Sequence, residues 1–117
     1  FHIQWDWGTF LKNNKYFSTN DLPATCSEKI VSHLLKDSLG FNGIIITDAL
    51  NMGGVVNVPS CGLKALKAGC DMLLMPASED KDIDEIITSM NDDNEFKLAV
   101  YSSVKKVLRL KLCLGIF

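Results

Sequence analysis

The stretch GFNGIIITDALNMGG, residues 40–54, decides the fold class. Residues 44–47 form an unbroken β-branched run with no polar alternation, which is typical of a strand covered on both faces in a parallel sheet. Gly40 precedes the run and is a natural helix stop. Asp48 follows it directly, so the sequence predicts a carboxylate at the end of a buried strand.

Helical and strand patterns alternate along the rest of the chain. The predicted helices cover about 25–39, 60–68, 80–90 and 95–112, with Ile83 and Ile87 among the residues expected to face inward. The predicted parallel strands cover about 43–47 and 71–75, the second being stopped by Pro76. This order predicts an α/β fold with two adjacent parallel strands and flanking helices. Because both strands need further neighbours, the chain is predicted to be a piece of a larger α/β domain.

Composition excludes several classes of protein. The chain has 117 residues, with 47% hydrophobic and 22% charged residues, which is typical of one globular domain. Its net charge of -2 includes no basic stripe, so no nucleic-acid partner is expected. No apolar run approaches the roughly 20 residues of a membrane span. No signal peptide is visible, but the chain begins with Phe1, so a targeting signal could lie upstream.

The cysteines give no sign of a metal centre or a disulfide framework. Four cysteines occur, at positions 26, 61, 70 and 113, without a CxxC pair or a histidine at zinc spacing. They are predicted to be small buried thiols in a reducing compartment, which slightly favours the cytoplasm. No metal is expected.

Position makes Asp48 a candidate site residue, because chemistry in parallel α/β folds gathers at the carboxyl ends of strands. A buried carboxylate without partners is costly, so packing alone gives little reason to place one there. Asn51, Met52, Gly53 and Gly54 follow and would leave room for a ligand. Position alone does not separate this interpretation from a simple cap of the next turn.

Residues 21–117 resemble the C-terminal part of the catalytic barrel of glycoside hydrolase family 3, in its β-N-acetylhexosaminidase branch. The resemblance rests on LPATCSEKIVSHLLKDSLGFNGIIITDALNMGGV (22–55), ALKAGCDMLLMP (65–76) and SVKKVLRLKLCLGIF (103–117). It implies a fragment of a (β/α)8 TIM barrel whose seventh and eighth strands are the two predicted here. Residues 1–20 resemble nothing at that point of the family and are left unplaced.

The resemblance also implies an activity. It makes Asp48 the nucleophile of a retaining glycoside hydrolase that acts on β-linked N-acetylglucosamine glycans, without a cofactor. Met52 would flank the sugar, although simple loop packing accounts for it equally well. The histidine that serves the family as acid/base belongs to a loop not found in this sequence. His33 is predicted to be a solvated surface residue, and His2 lies in the unplaced segment.

Two other interpretations stay open. A phosphoacceptor module of the response-regulator kind also ends a parallel strand in Asp, and Asp6 could supply its early acid. The lysine that such modules need after a later strand is replaced here by Pro76 and Ala77. A catalytically inactive remnant is the other alternative, since the provider of general acid catalysis is missing. Self-association through an open sheet edge is also expected.

Overall fold

The computed structural model describes residues 23–52 and 55–116, together with the backbone of residues 2–3. Most of the unplaced segment 1–20, including Asp6 and the side chain of His2, lies outside the described residues. Gly53 and Gly54 lie outside them as well.

The described residues form an alternating α/β chain. In order, its elements are β1 (His2–Ile3), α1 (Lys29–Ser38), β2 (Ile46–Ala49), α2 (Cys61–Ala68), β3 (Met72–Leu74), α3 (Glu79–Asp92) and α4 (Asn94–Cys113). A 3₁₀ turn, Ala24–Cys26, precedes α1. The hydrogen bonds of α1 are of the wider π type. Gly40 follows with φ +68°, the left-handed conformation that glycine adopts at helix ends.

The strands form one parallel sheet in the order β1-β2-β3. The prediction that the two long apolar runs are adjacent and parallel is therefore confirmed. The sequence did not predict β1, which pairs with β2 through His2 opposite Ile46 and Ile3 opposite Thr47. Because β1 flanks β2, the central strand of the described sheet is the one that carries Asp48.

The predicted strand bounds were wrong by up to three residues. Regular pairing begins at Ile46 rather than at 43. The carbonyl of Ile45 accepts from the backbone N of Asp71 at 2.7 Å and of Met72 at 3.2 Å, but its N–H donates to the side chain of Asp71 instead of to a strand carbonyl. Asp48 is thus the third residue of β2, not the residue after it. The second strand ends at Leu74 because Met75 has a φ of +45°, which no strand residue adopts.

Two apolar clusters hold the layers together. The larger one joins α1, β2 and α2 through Ala24, Ile30, Val31, Leu35, Ile45, Ala65, Ala68 and Cys70. The smaller one contains Cys26, Leu50, Val55 and Cys61 and lies under the segment that follows β2. Ile30, Val31 and Leu35 of α1 are buried and form its inward apolar face, whereas Leu39 just after the helix is 67% exposed.

The last two helices pack less deeply than the sequence predicted. Ile83 and Ile87 of α3 are 53% and 52% exposed, so the prediction that they face inward was wrong. The physical reason is that α3 packs mainly on α2 and α4 rather than on the sheet. Asp93 caps helix α4, and its carboxylate accepts hydrogen bonds from the backbone N of Glu95 and Phe96.

Replacement of Gly69, which ends α2, is expected to destabilise the chain. Gly69 has a φ of +120°, and an added Cβ would lie 2.7 Å from Ser32 Oγ. That hydroxyl donates to the carbonyl of Ala68 at 2.6 Å and so ties α1 to the end of α2. Gly69→Ala should therefore lower the free energy of unfolding by about 2 kcal/mol, measured by urea denaturation.

Gly40→Ala is the matched control. Gly40 also has positive φ, +68°, but an added Cβ would meet no atom within 4 Å. Only backbone strain remains, and a loss of about 1 kcal/mol is expected. If the two variants lose equal free energies of unfolding, the contact with Ser32 does not add to the destabilisation of Gly69→Ala.

Candidate functional site

Asp48 lies near the carboxyl end of the central strand β2 and keeps part of its surface exposed. Its Oδ1 accepts a hydrogen bond from the backbone N of Ala49 at 2.8 Å. Nearby residues of the chain differ sharply in exposure, since Thr47 is fully buried and Leu50 is nearly so. The carboxylate is therefore held at the carboxyl end of the sheet, where its exposed surface can be approached by a ligand.

The pairing of β2 with β3 is irregular at this point. Ile46 is opposite Met72 and Ala49 is opposite Leu74. Between these two pairs, β2 has one residue more than β3. Such bulges are rare in parallel sheets and are common beside active sites, where they re-aim a side chain. The extra residue falls on the segment that contains Thr47 and Asp48.

The side chain of Thr47 stabilises this bulge. Its Oγ1 accepts a hydrogen bond from the backbone N of Leu74 at 3.0 Å, in place of a main-chain carbonyl. The ladder resumes one step later, where the N of Leu50 donates to the carbonyl of Leu74 at 3.0 Å. Sequence reasoning missed Thr47 as a site residue, because its role depends on a partner 27 positions away.

The neighbouring loop residues are placed as follows. Asn51 and Met52 are both exposed, Met52 by 54%, so each is open to a ligand at the same edge of the sheet. Met75 follows β3 at this edge, is 57% exposed and has the left-handed φ noted above. A left-handed methionine is strained, and such strain gathers at functional sites. No sequence signal marked Met75.

Asp71 occupies the opposite end of the sheet. It precedes β3, and its carboxylate accepts from the backbone N of Ile45 at 2.9 Å, from Ser103 Oγ at 2.6 Å and from Lys106 Nζ at 3.3 Å. These partners lie at the amino ends of the strands or on α4, so the environment of Asp71 is structural.

The other candidates are not brought to the site. His33 lies exposed on α1, as predicted. Within residues 23–52 and 55–116, no three His, Cys, Asp or Glu side chains are grouped so that they could hold a metal ion. Nor does any helix of the described part combine the length and apolar character needed to cross a lipid bilayer.

Comparison with known proteins gives the family. Residues 12–110 match the Glycosyl hydrolase family 3 N terminal domain. The chain belongs to glycosyl hydrolase family 3. The resemblance read from residues 21–117 is thereby confirmed, and the matched stretch also takes in part of the unplaced segment.

Several relatives in family 3 have stated activities. The chain is 31% identical over 98 residues to a beta-N-acetylglucosaminidase/beta-glucosidase from Cellulomonas fimi, a match that covers 81% of this chain and 17% of the relative. It is 40% identical over 81 residues to a beta-hexosaminidase from Methylobacillus flagellatus, covering 67% of this chain and 23% of the relative. The chain thus spans about a fifth of the length of these curated relatives.

Solved structures agree with the family. The crystal structure of beta-N-acetylhexosaminidase from Beutenbergia cavernae superposes with a TM-score of 0.68 at 30% identity, over 78% of this chain and 29% of that one. The mixed α/β arrangement of parallel strands and helices described above is therefore the arrangement of family 3 N-terminal domains.

Proposed function

We propose that this chain is part of a retaining glycoside hydrolase that acts on β-linked N-acetylglucosamine glycans, with Asp48 as the nucleophile. The observation that carries the proposal is the placement of Asp48 on the central strand, at a bulge near its carboxyl end and partly open to solvent. The relatives named as beta-hexosaminidases and beta-N-acetylglucosaminidases supply the substrate class.

We further propose that β2 and β3 are the seventh and eighth strands of a (β/α)8 barrel. Parallel strands in consecutive order, separated by a helix, are the repeating unit of that fold. A complete barrel takes roughly 250 residues. Residues 21–117 would be the C-terminal part of the catalytic domain, and hydrolysis would belong to the longer protein that contains them.

The geometry suits nucleophilic attack. In a retaining glycosidase an ionised carboxylate attacks the anomeric carbon, a glycosyl-enzyme forms, and water releases the sugar with its configuration kept. Asp48 Oδ1 is held by the N–H of Ala49, which orients the carboxylate before the sugar arrives. The exposed Met52 and Asn51 are in place to contact the sugar or its leaving group. No cofactor enters this chemistry.

The phosphoacceptor and the inactive remnant, the two alternatives to an active glycosidase, differ in how much supports them. A receiver-like phosphoacceptor is not favoured, because the family match and the relatives named above all belong to glycosidases. An inactive remnant would keep the same fold and the same aspartate, so only a chemical experiment on Asp48 separates it from the enzyme.

A chimera provides that experiment. This chain's matched residues would replace the corresponding 81-residue stretch of the Methylobacillus flagellatus beta-hexosaminidase, which restores a complete enzyme around Asp48. A mechanism-based fluorosugar of the N-acetylglucosamine type should then label Asp48, as found by peptide mapping. Asp71 is the internal control, because its carboxylate lies at the other end of the sheet and is 1% exposed. A folded chimera that takes no label would support the remnant.

Thr47 is expected to position the nucleophile. Thr47→Val in the chimera removes the acceptor of the Leu74 N–H and lets the bulge relax, whereas Thr47→Ser keeps the hydroxyl. We expect Thr47→Val to lower kcat by about 10- to 100-fold with little change in KM, because small displacements of a reacting group cost about that much. Steady-state kinetics on an aryl N-acetyl-β-glucosaminide measures both constants.

The serine variant and a remote threonine serve as controls. Thr47→Ser should keep most of the activity. Thr88→Val removes a hydroxyl that donates to the carbonyl of Asp84 on the exposed side of α3, and should leave kcat unchanged. A Thr47→Val enzyme with unaltered kcat would show that the hydroxyl does not aim Asp48.

A further inference from the structure

Two buried thiols meet where the turn before α1 touches the start of α2. Cys26 belongs to the 3₁₀ turn and Cys61 is the first residue of α2. Their Sγ atoms are 3.3 Å apart, and Cys26 Sγ also lies 3.7 Å from the carbonyl oxygen of Cys61. Both cysteines are free thiols at this distance. A small movement of the sulfur atoms would bring them to bonding distance.

The two thiols are not equivalent. The hydrogen bond between the two sulfur atoms lowers the pKa of Cys61, while the same hydrogen bond, with burial, raises the pKa of Cys26. Cys61 also sits at the amino end of an eight-residue helix, where the helix dipole favours an anion. The pair therefore consists of a thiolate-prone Cys61 and a thiol donor, Cys26.

Charged neighbours act on Cys61 in opposite directions. Lys64, one turn along α2, favours the thiolate, whereas burial and the carboxylate of Asp82 on α3 oppose it. Burial and the nearby Glu85 raise the pKa of Asp82 itself. The hydrogen bond from Cys26 is the largest of these influences on Cys61.

A cavity gives Cys61 access to small molecules. It has a volume of about 190 Å³ and is bounded by the segment after β2, the start of α2 and the start of α3. Cys61, Ser60 and Lys81 are among its lining residues, whereas Cys26 is not. Of the two cysteines, Cys61 is therefore the one that a reagent in the cavity would meet.

We propose that Cys61 and Cys26 form a peroxide-reactive thiol pair, in which Cys61 attacks a small hydroperoxide and Cys26 resolves the product to a disulfide. The Cys61 sulfur bonds to one peroxide oxygen, the O–O bond breaks, and the leaving hydroxide takes up a proton to give water and Cys61 sulfenic acid. Cys26 sulfur then displaces the sulfenic hydroxyl, and the Cys26 proton leaves with it as a second water. Hydrogen peroxide is thereby reduced to two waters and the two thiols are oxidised to one disulfide. The site is independent of the glycosidase chemistry proposed for Asp48.

The other two cysteines are built-in controls. Cys70 is also buried, but burial raises its pKa to about 12 and its Sγ donates to the carbonyl oxygen of Thr25 at 3.7 Å. Cys113 at the end of α4 is exposed and has no cysteine neighbour in the described residues. An accessible but unactivated thiol and a buried but unactivated thiol are thus compared with Cys61 in the same molecule.

The test uses the reduced 117-residue chain and hydrogen peroxide at one equivalent, with rapid alkylation and peptide mapping. We expect a Cys26–Cys61 disulfide to form about tenfold faster than any oxidation of Cys113, with Cys70 still reduced. Unfolding in denaturant should abolish this preference. Earlier oxidation of Cys113, a map without the Cys26–Cys61 linkage, or the same preference in denaturant would each overturn the proposal.

Single variants assign the two roles. Cys26→Ala should stop the reaction at Cys61 sulfenic acid, which dimedone traps, and Cys61→Ala should leave Cys26 unoxidised on the same timescale. Trapping on Cys26 in the second variant would reverse the roles and overturn the assignment. If either variant fails to fold, the map of the unaltered chain still decides whether the pair reacts.

Discussion

Replacement of Asp48 by alanine is expected to lower kcat for an aryl N-acetyl-β-glucosaminide by on the order of 10⁴-fold or more in the complete enzyme. Without the carboxylate no glycosyl-enzyme can form, and the oxocarbenium-like transition state loses its nearest negative charge. The chimera described above is the enzyme for this measurement. Its fold should be unchanged, because the side chain of Asp48 is partly exposed and accepts a hydrogen bond from the backbone of its own neighbour, Ala49.

Two additions make the Asp48 experiment specific. Azide should restore part of the turnover in Asp48→Ala, because it can enter the space left by the carboxylate, and the product should be the sugar azide of inverted configuration. Asp37→Ala, on the exposed side of α1, is the matched control and should keep full activity. The 117-residue chain alone should show no turnover. Hydrolysis by that chain, unaffected by Asp48→Ala, would refute both the assignment of the nucleophile and the proposal that activity needs a longer protein.

Local patterns sufficed to predict most of the elements. The periodic apolar residues of α2, α3 and α4 predicted helices close to their observed bounds, because a helix is built from contacts three and four residues apart. The β-branched run at 44–47 and the apolar run at 72–75 predicted two adjacent parallel strands, and the order of elements along the chain predicted their pairing.

Features that depend on distant partners escaped prediction. The bulge in β2 arises from its pairing with β3, so the apolar run alone placed the strand too early and put Asp48 beyond its end. The contact of Thr47 with Leu74 and the meeting of Cys26 with Cys61 join residues 27 and 35 positions apart. Neither spacing follows any local periodicity. The strand end marked Asp48 as a candidate site residue, and the family resemblance made it the candidate nucleophile. The contact of Thr47 with Leu74 was missed because strand partners cannot be predicted from a local pattern.

The second large effect is expected at Asp71, the aspartate at the amino ends of the strands. Its side chain is 1% exposed, and its two oxygens bind three residues in two parts of the chain: the backbone N of Ile45 before β2, and Ser103 and Lys106 of α4. Lys106 Nζ also lies 3.5 Å from the carbonyl oxygen of Gly43. Asp71 therefore fixes α4 to the sheet.

Asp71→Ala should lower the free energy of unfolding of the 117-residue chain by about 3 kcal/mol, measured by urea denaturation. The loss comes from leaving the N–H of Ile45 buried without its acceptor and from breaking the hydrogen bond with Ser103. Lys106 contributes less, because its side chain is 28% exposed and regains water when the carboxylate is removed. Lys106→Ala, the matched control, should therefore cost about 1 kcal/mol or less.

The same variant separates structure from chemistry. In the chimera, Asp71→Ala should leave kcat per folded molecule unchanged while it lowers stability, which is the reverse of the result expected for Asp48→Ala. If Asp71→Ala costs no more stability than Lys106→Ala, the carboxylate is not what holds α4 to the sheet. If it instead removes activity from a fully folded enzyme, the division of roles between the two ends of the sheet is wrong, since a residue bonded only to Ile45, Ser103 and Lys106 would then act on the sugar.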